Sequence, residues 1–216
     1  MLSGIWAYAD RLPAVGADRR ITLGEGRTPL VKSRRIGPEL GLKNLYFKLE
    51  SLNPTGSYKD RIAALGVSLA LERGRKTCVG TTSGNAGSSI AAYCARAGLT
   101  YRVYVQENIV APKLEPMLVH GADVVKVEGF GFRPDVGDKV FQAVLAQARE
   151  NDWELLVTAY AYAPEAMEAV KTIAYEIADA GAAADAVFVP VGGGGLLTGI
   201  FRGYGDLLAE GAIDAL

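Results

Sequence analysis

The sequence predicts an α/β protein built on parallel β-sheet. From about Lys43 onward, short runs rich in Val and Leu alternate with stretches of helical periodicity, as in strands joined by crossover helices. Glycine-rich segments sit where such a run hands over to a helix, as in Thr81 to Ser89 and Gly192 to Gly195. Half the residues are apolar and 22% are charged, the balance of a folded globular chain.

The elements follow in order. The first forty or so residues are less regular and contain GEGRTPL, in which Gly24, Gly26 and Pro29 signal a turn followed by a short extended segment. Strands are predicted at Asn44 to Leu49, Lys76 to Gly80, Tyr101 to Val105, Val124 to Glu128, Leu155 to Thr158 and Ala186 to Val191. Between them, core-facing stripes recur at helical spacing: Ile62, Leu65 and Leu69; Ile90, Tyr93, Cys94 and Ala97; Val136, Val140 and Val144; Met167, Val170, Ala174 and Ile177. A last helix follows Gly195 and is expected to bury Leu197, Ile200, Phe201, Tyr204 and Leu208. The Ala/Gly stretch from Gly181 to Ala184 reads as a helix-to-strand connection.

Composition removes several classes of function. A net charge of −1, with no Lys/Arg-rich run and no aromatic-basic stripe, gives no footprint for nucleic acid or an acidic membrane. Cys78 and Cys94 lie among apolar residues without metal-ligand spacing, so neither a disulfide framework nor a metal site is expected, and a reducing cytoplasm fits best. The N-terminus lacks the pattern of a signal peptide, and no apolar stretch reaches the ~18 residues of a membrane span. At 216 residues the chain has room for one large or two small compact units.

Chemistry concentrates in particular stretches. NPTGSYKDR, Asn53 to Arg61, sets a turn directly ahead of an amphipathic helix with a lysine at its entrance. The positive end of the helix dipole and burial both disfavour an ammonium ion, so both push Lys59 toward the neutral amine that attacks an aldehyde. An isolated lysine is ordinarily a solvated surface residue, so the neighbouring motifs must supply the case. TTSGNAGSS, Thr81 to Ser89, has glycines that let backbone N–H groups approach a ligand, a helix start that favours an anion, and an amide at Asn85 able to meet a phenolate oxygen. A Ser/Asn helix cap with tight-turn glycines is the plainer reading of the same residues. Gly192 to Gly195 follow the apolar run AVFVPV and precede a helix, which presents backbone donors and a favourable dipole to a phosphate. The run satisfies neither GxxxxGK[ST] nor GxGxxG, because the final position falls on Leu197 or Thr198, and this argues against a nucleotide-binding protein. A phosphate cradle beside an activated lysine points to a small phosphorylated aldehyde, of which pyridoxal 5'-phosphate (PLP) is the obvious member.

NPTGSYKDR, TTSGNAGSS and VPVGGGGL, with GEGRTPL near the start, resemble in order and spacing the tryptophan synthase β-like PLP enzymes, also called fold type II, and look closest to the threonine synthase-like members. The resemblance covers nearly all of the chain from Gly24 to Leu208. It implies two parallel-sheet domains of three αβα layers: a smaller mobile one over residues 53–152, and a larger one from residues 1–52 and 153–216 that is incomplete. It implies that Lys59 is the catalytic residue and holds PLP as a Schiff base, that Asn85 bonds the cofactor's 3'-oxygen, and that Gly192, Gly193, Gly194 and Gly195 bind its phosphate. Ser83, Gly84, Asn85, Ala86 and Gly87 would grip the substrate carboxylate. Relatives continue further and supply a Ser or Thr facing the pyridine nitrogen, for which this chain offers no candidate.

The implied function is a PLP-dependent lyase or replacement enzyme acting on a small amino acid. The first choice is threonine synthase-like conversion of O-phosphohomoserine to threonine and phosphate. VPVGGGGL is closer to the threonine and serine dehydratases, so dehydration, or cysteine synthase-like β-replacement, is the alternative, and a non-catalytic or truncated subunit of the same fold is a reading of another class. An unpaired strand edge near the C-terminus is expected to be covered by a copy of the chain in a homodimer or by a second polypeptide. Among neighbouring residues, His120 is expected to cap a helix before Gly121, Asp60 to stabilise a helix N-terminus, Arg61 to be a solvated helix residue unless it contacts an anion, and Tyr58 to pack.

Overall fold

The computed structural model describes residues 4–181 and 184–214, so part of the expected Gly181 to Ala184 connection lies outside the described residues. Parallel strands β3 (Thr77–Thr82), β4 (Thr100–Gln106), β5 (Asp123–Val127) and β6 (Glu154–Leu155) form a four-stranded sheet in the order β5-β4-β3-β6. Helices α3 (Asn85–Ala97), α4 (Ala111–Val119) and α5 (Pro134–Glu150) are the crossovers. Alternation within the strands assigns the faces. Cys78 on β3 and Tyr101, Val103 and Val105 on β4 enter the main core, whereas Val79 packs on the other side with Val140, Val144 and Ala148 of α5. Both faces are thus covered, as buried parallel strands require.

Helix α2 (Lys59–Glu72) is buried from Asp60 to Ala70 and packs on α3. Its all-round burial comes from the 3-10 segment Gly4–Arg11 on one side, where Ile5 and Trp6 are buried, and from α6 (Pro164–Met167) with the turn that follows it on another. The GEGRTPL turn is fixed from within. Glu25 is fully buried and accepts hydrogen bonds from Tyr93 Oη (2.8 Å), Thr22 Oγ1 (2.9 Å) and the Leu23 N–H (3.0 Å). Burial raises its pKa.

The sequence expectations hold best inside this sheet and least outside it. Each of the expected helical stripes of α2, α3, α5 and the 164–179 segment is buried or packed against the core. The second parallel sheet does not form among the described residues. The run expected at Asn44 to Leu49 gives β2 (Tyr46–Lys48), which pairs antiparallel with β1 (Leu30–Lys32) around the short α1 (Ile36–Glu39). Leu155 to Thr158 contributes only the two-residue β6, at the edge of the sheet already described. Ala186 to Val191 forms no strand, and no described strand pairs with it; Phe188 is 85% exposed.

The last helix, α8 (Gly195–Ala209), corrects the expected stripe. Ile200, Tyr204 and Leu207 are buried, while Leu197, Phe201 and Leu208 face outward. The cause is a row of glycines. A Cβ at Gly195 would stand 2.7 Å from Met167 Cε, one at Gly199 2.5 Å from Val170 Cβ, and one at Gly203 2.7 Å from the Lys171 carbonyl oxygen. That row is the contact face against α6, the 3-10 turn Glu168–Lys171 and α7 (Thr172–Asp179), and it turns the larger apolar side chains opposite it outward.

Candidate active site

The C-terminal ends of parallel strands are where open α/β sheets present ligand-binding loops. Here a cleft of about 720 Å³ opens at that edge. Thr81 and Thr82 at the end of β3, Gln106 at the end of β4 and Thr158 just past β6 form its floor. Lys59, the loop Ser83 to Ala86, Lys113, Phe130, Phe141 and Gly193 complete the wall.

Lys59 is placed by a locked turn. Asn53 Oδ1 accepts the Gly26 N–H (2.9 Å), and its amide donates to Glu50 Oε2 (2.9 Å). Asp60, fully buried, accepts from the Thr55 N–H (2.6 Å) and from the hydroxyls of Thr55 and Ser89. It therefore closes the turn ahead of α2 and ties it to α3, a wider role than a helix-dipole partner. Lys59 then projects into the cleft, where Nζ donates to Tyr58 Oη (2.8 Å) and Thr158 Oγ1 (3.0 Å) and lies 4.5 Å from the Tyr58 ring centre. Burial lowers its pKa to about 8. A usable fraction of neutral amine is present near pH 7, which a nucleophile toward an aldehyde needs.

Arg61 overturns its expectation. It is fully buried, and its guanidinium spans Glu50 (Nε to Oε2 2.9 Å, Nη2 to Oε1 2.8 Å) and Glu176 (Nη1 to Oε1 2.6 Å, Nη2 to Oε2 2.9 Å). Nη1 also donates to Thr172 Oγ1 (2.9 Å). The segment carrying Glu50, the start of α2 and helix α7 are thereby joined two residues after Lys59. Tyr58 does pack on the core, but its hydroxyl also meets the lysine amine. His120 caps the C-terminus of α4, as expected.

Of the other expected site residues, Ser83, Gly84, Asn85 and Ala86 line the cleft. Gly87 does not. Its N–H and that of Gly84 both donate to Thr82 Oγ1 (3.0 Å each), and a Cβ on Gly87 would stand 2.5 Å from Met117 Sδ. This glycine serves the packing of α3 on α4, and Thr82 supplies the cap that the plainer reading gave to Ser and Asn. Gly193 lines the cleft, with Gly192, Gly194 and Gly195 beside it in sequence. Gly194 has φ +79°, in the left-handed region open to glycine, and α8 begins without a side-chain cap. Added Cβ atoms at Gly192, Gly193 and Gly194 would meet nothing within 4 Å, so backbone faces open space there. Gly195 is the exception, seated on Met167. Thr81, Gln106, Lys113, Phe130, Phe141 and Thr158 were not singled out in the sequence; only their position at strand ends and on the facing helices marks them.

A half-buried amine of lowered pKa and an uncapped, glycine-opened helix start beside one cleft are the features that a small phosphorylated aldehyde would require, and the residues present fit PLP. Comparison with known proteins agrees. Residues 21–213 match the family model described as pyridoxal-phosphate dependent enzyme. The chain belongs to that family. It is 38% identical to the threonine synthase of Mycobacterium leprae over 98% of its own length and 57% of the relative's, and 37% identical to that of Methanocaldococcus jannaschii over 99% and 51%. Among solved structures, a pyridoxal 5'-phosphate-dependent aspartate racemase superposes with a TM-score of 0.75 at 26% identity, covering 95% of this chain and 59% of that one. The serine racemase of Dictyostelium discoideum gives 0.70 at 28%, covering 84% and 57%. The chain spans about half the length of the curated relatives it matches. Among the described residues, no helix is long and apolar enough to cross a membrane.

Proposed function

We propose that this chain carries the lysine-bearing part of a PLP-dependent enzyme that performs elimination or replacement on a small amino acid. The observation that carries the reading is the Lys59 amine, its pKa lowered by burial, on the same cleft as Gly193 of the glycine loop ahead of α8. PLP, when bound, supplies an aldehyde for amines and a ring that stabilises negative charge at the substrate's α-carbon. Lys59 would attach it and, once displaced by the substrate amine, take the α-proton at Nζ. The start of α8 and its glycines would hold the phosphate, Asn85 would orient the ring through its oxygen, and the Ser83 to Ala86 loop would hold the substrate carboxylate. The aromatic side chains of Phe130 and Phe141 would exclude water from one wall.

Within this class, the identities with threonine synthases support conversion of O-phosphohomoserine to threonine and phosphate. Adding PLP to the purified chain should give a visible absorption band that Lys59→Ala abolishes; a band of undiminished strength in the variant overturns the assignment of the lysine. Phosphate and threonine released from O-phosphohomoserine support the threonine synthase reading, whereas ammonia and keto acid from serine or threonine would replace it with a dehydratase. The outward face of α8 and the exposed Val187, Phe188 and Val191 support self-association, and light scattering showing only a monomer would exclude it.

A further inference from the structure

Among the described residues, those lining the Lys59 cleft include no carboxylate. A lysine that takes a proton there becomes an ammonium ion in a half-buried place, and such an ion is costly unless something accepts its N–H groups. The acids nearest in sequence are engaged elsewhere: Asp60 with Thr55 and Ser89, Glu50 with Arg61. Glu176, facing α2 from α7, is likewise held by Arg61 and Lys48. The other charged group on the cleft wall, Lys113 from α4, has the same sign as the ammonium. What faces Nζ directly is Tyr58 Oη at 2.8 Å, Thr158 Oγ1 at 3.0 Å and the Tyr58 ring, its centre 4.5 Å away. These partners come from two separate segments, one from the turn before α2 and one from the loop after β6, 99 residues on from Lys59.

We propose that Tyr58 and Thr158 are positioning residues that receive the protonated Lys59 amine, two hydroxyl oxygens and an aromatic face standing where a counter-carboxylate would otherwise be needed. The inference rests on Lys59 being the amine that attaches the cofactor and takes the substrate proton. Both hydroxyls accept from the ammonium ion, and the ring attracts it through its π face, so all favour the charged form and oppose burial. Burial brings the amine to about 8, near the pH at which one group both gives and takes a proton, and the contacts with Tyr58 and Thr158 favour its charged form there. The hydroxyls also fix Nζ in one place while it is unattached, so a released lysine stays beside the reacting carbon.

The test uses the full chain without cofactor. Lysines are reductively methylated with formaldehyde and cyanoborohydride from about pH 6 to about pH 10, and the peptide bearing Lys59 is read by mass spectrometry. The parent should show a labelling midpoint near 8. Thr158→Val, which keeps the shape and loses the hydroxyl, should lower the midpoint by about one pH unit, and Tyr58→Phe, which keeps the ring, by about half a unit. Thr158→Ser should restore the parent value, a result that a merely structural role would not produce. Unchanged midpoints in Tyr58→Phe and Thr158→Val overturn the proposal; should one variant fail to fold, as a melting curve shows, the other decides alone. The outcome is separable from the proposed function: a parent that forms no absorption band with PLP sinks that reading, whereas a parent that forms it while the variants keep its midpoint sinks only this one.

Discussion

Replacing Arg61 with methionine isolates the energetics of the buried ion cluster, because methionine roughly fills the stem's volume and removes only the guanidinium. In the parent, burial pushes the pKa of Glu50 and of Glu176 upward, and hydrogen bonds and charge from Arg61 outweigh it, so both lie below the ordinary value. In the variant Glu176 keeps Lys48 at 2.5 Å, but Glu50 has only Thr28 and Asn53. Leaving a buried charge unpaired in this way costs about 3–5 kcal/mol, or a melting temperature lower by about 10 °C for a chain of this size. The pH dependence has a definite sign. A depressed carboxylate pKa contributes stability that is present above the unfolded value of 4.5 and lost as pH falls through the folded value, so the parent gives up this contribution in acid. Without the cation, burial is left to raise the pKa of Glu50 in the variant, and its cost grows as pH rises past 4.5. The gap between the proteins should therefore be widest at neutral pH and close toward acid. Urea unfolding, followed through the fluorescence of Trp6 and Trp153, measures it. A gap under about 1 kcal/mol at neutral pH, or one that does not narrow in acid, refutes the reasoning.

Other outcomes follow from single contacts. Thr82→Val removes the oxygen that accepts the Gly84 and Gly87 N–H groups and should cost about 1–2 kcal/mol by urea unfolding; a neutral result would mean that solvent satisfies that helix start. Gly87→Ala places a methyl group 2.5 Å from Met117 Sδ and from Thr82 Cγ2 and should destabilise by about 1–3 kcal/mol, which thermal melting would show. Lys59→Ala should melt at or slightly above the parent temperature in the absence of cofactor, because it removes a half-buried amine whose pKa burial has lowered; a loss of several degrees would make the lysine structural.

The sheet was legible where chemistry is local. Val-rich runs marked β3, β4 and β5 to within a residue or two, and the helical stripes found the core because periodicity reports which side of an element is dry. Pairing was less legible. Nothing in Asn44 to Leu49 states that its neighbour will be Leu30–Lys32 running the other way, and nothing in Ala186 to Val191 states whether a neighbour will stand beside it. Lys59, the Ser83 to Ala86 loop and Gly193 were found by their place at turn-to-helix junctions, and the structure brings them to one cleft. Arg61 was missed because burial of a charge is decided by its partners, and Glu176 lies 115 residues away. Thr158 and Phe141 were missed for a similar reason: hydroxyls and aromatics are ordinary anywhere, and only the fold brings Thr158 to the lysine and Phe141 to the wall of the same cleft.

The glycine row of α8 has a consequence for how accurately the cleft is made. Where the helix rests its backbone on Met167, Val170 and Lys171, at Gly195, Gly199 and Gly203, it has no side chain of its own to deform, so those contacts lack the play by which most packed helices absorb small errors. The loop from Gly192 to Gly194 is the continuation of that helix and inherits its height and tilt. A single methyl group at Gly199, far along the seam and outside the cleft lining, would lift the helix from its seat and carry the loop with it. The mechanical tolerance of the loop is therefore set along the back of the helix, at positions that do not line the cleft.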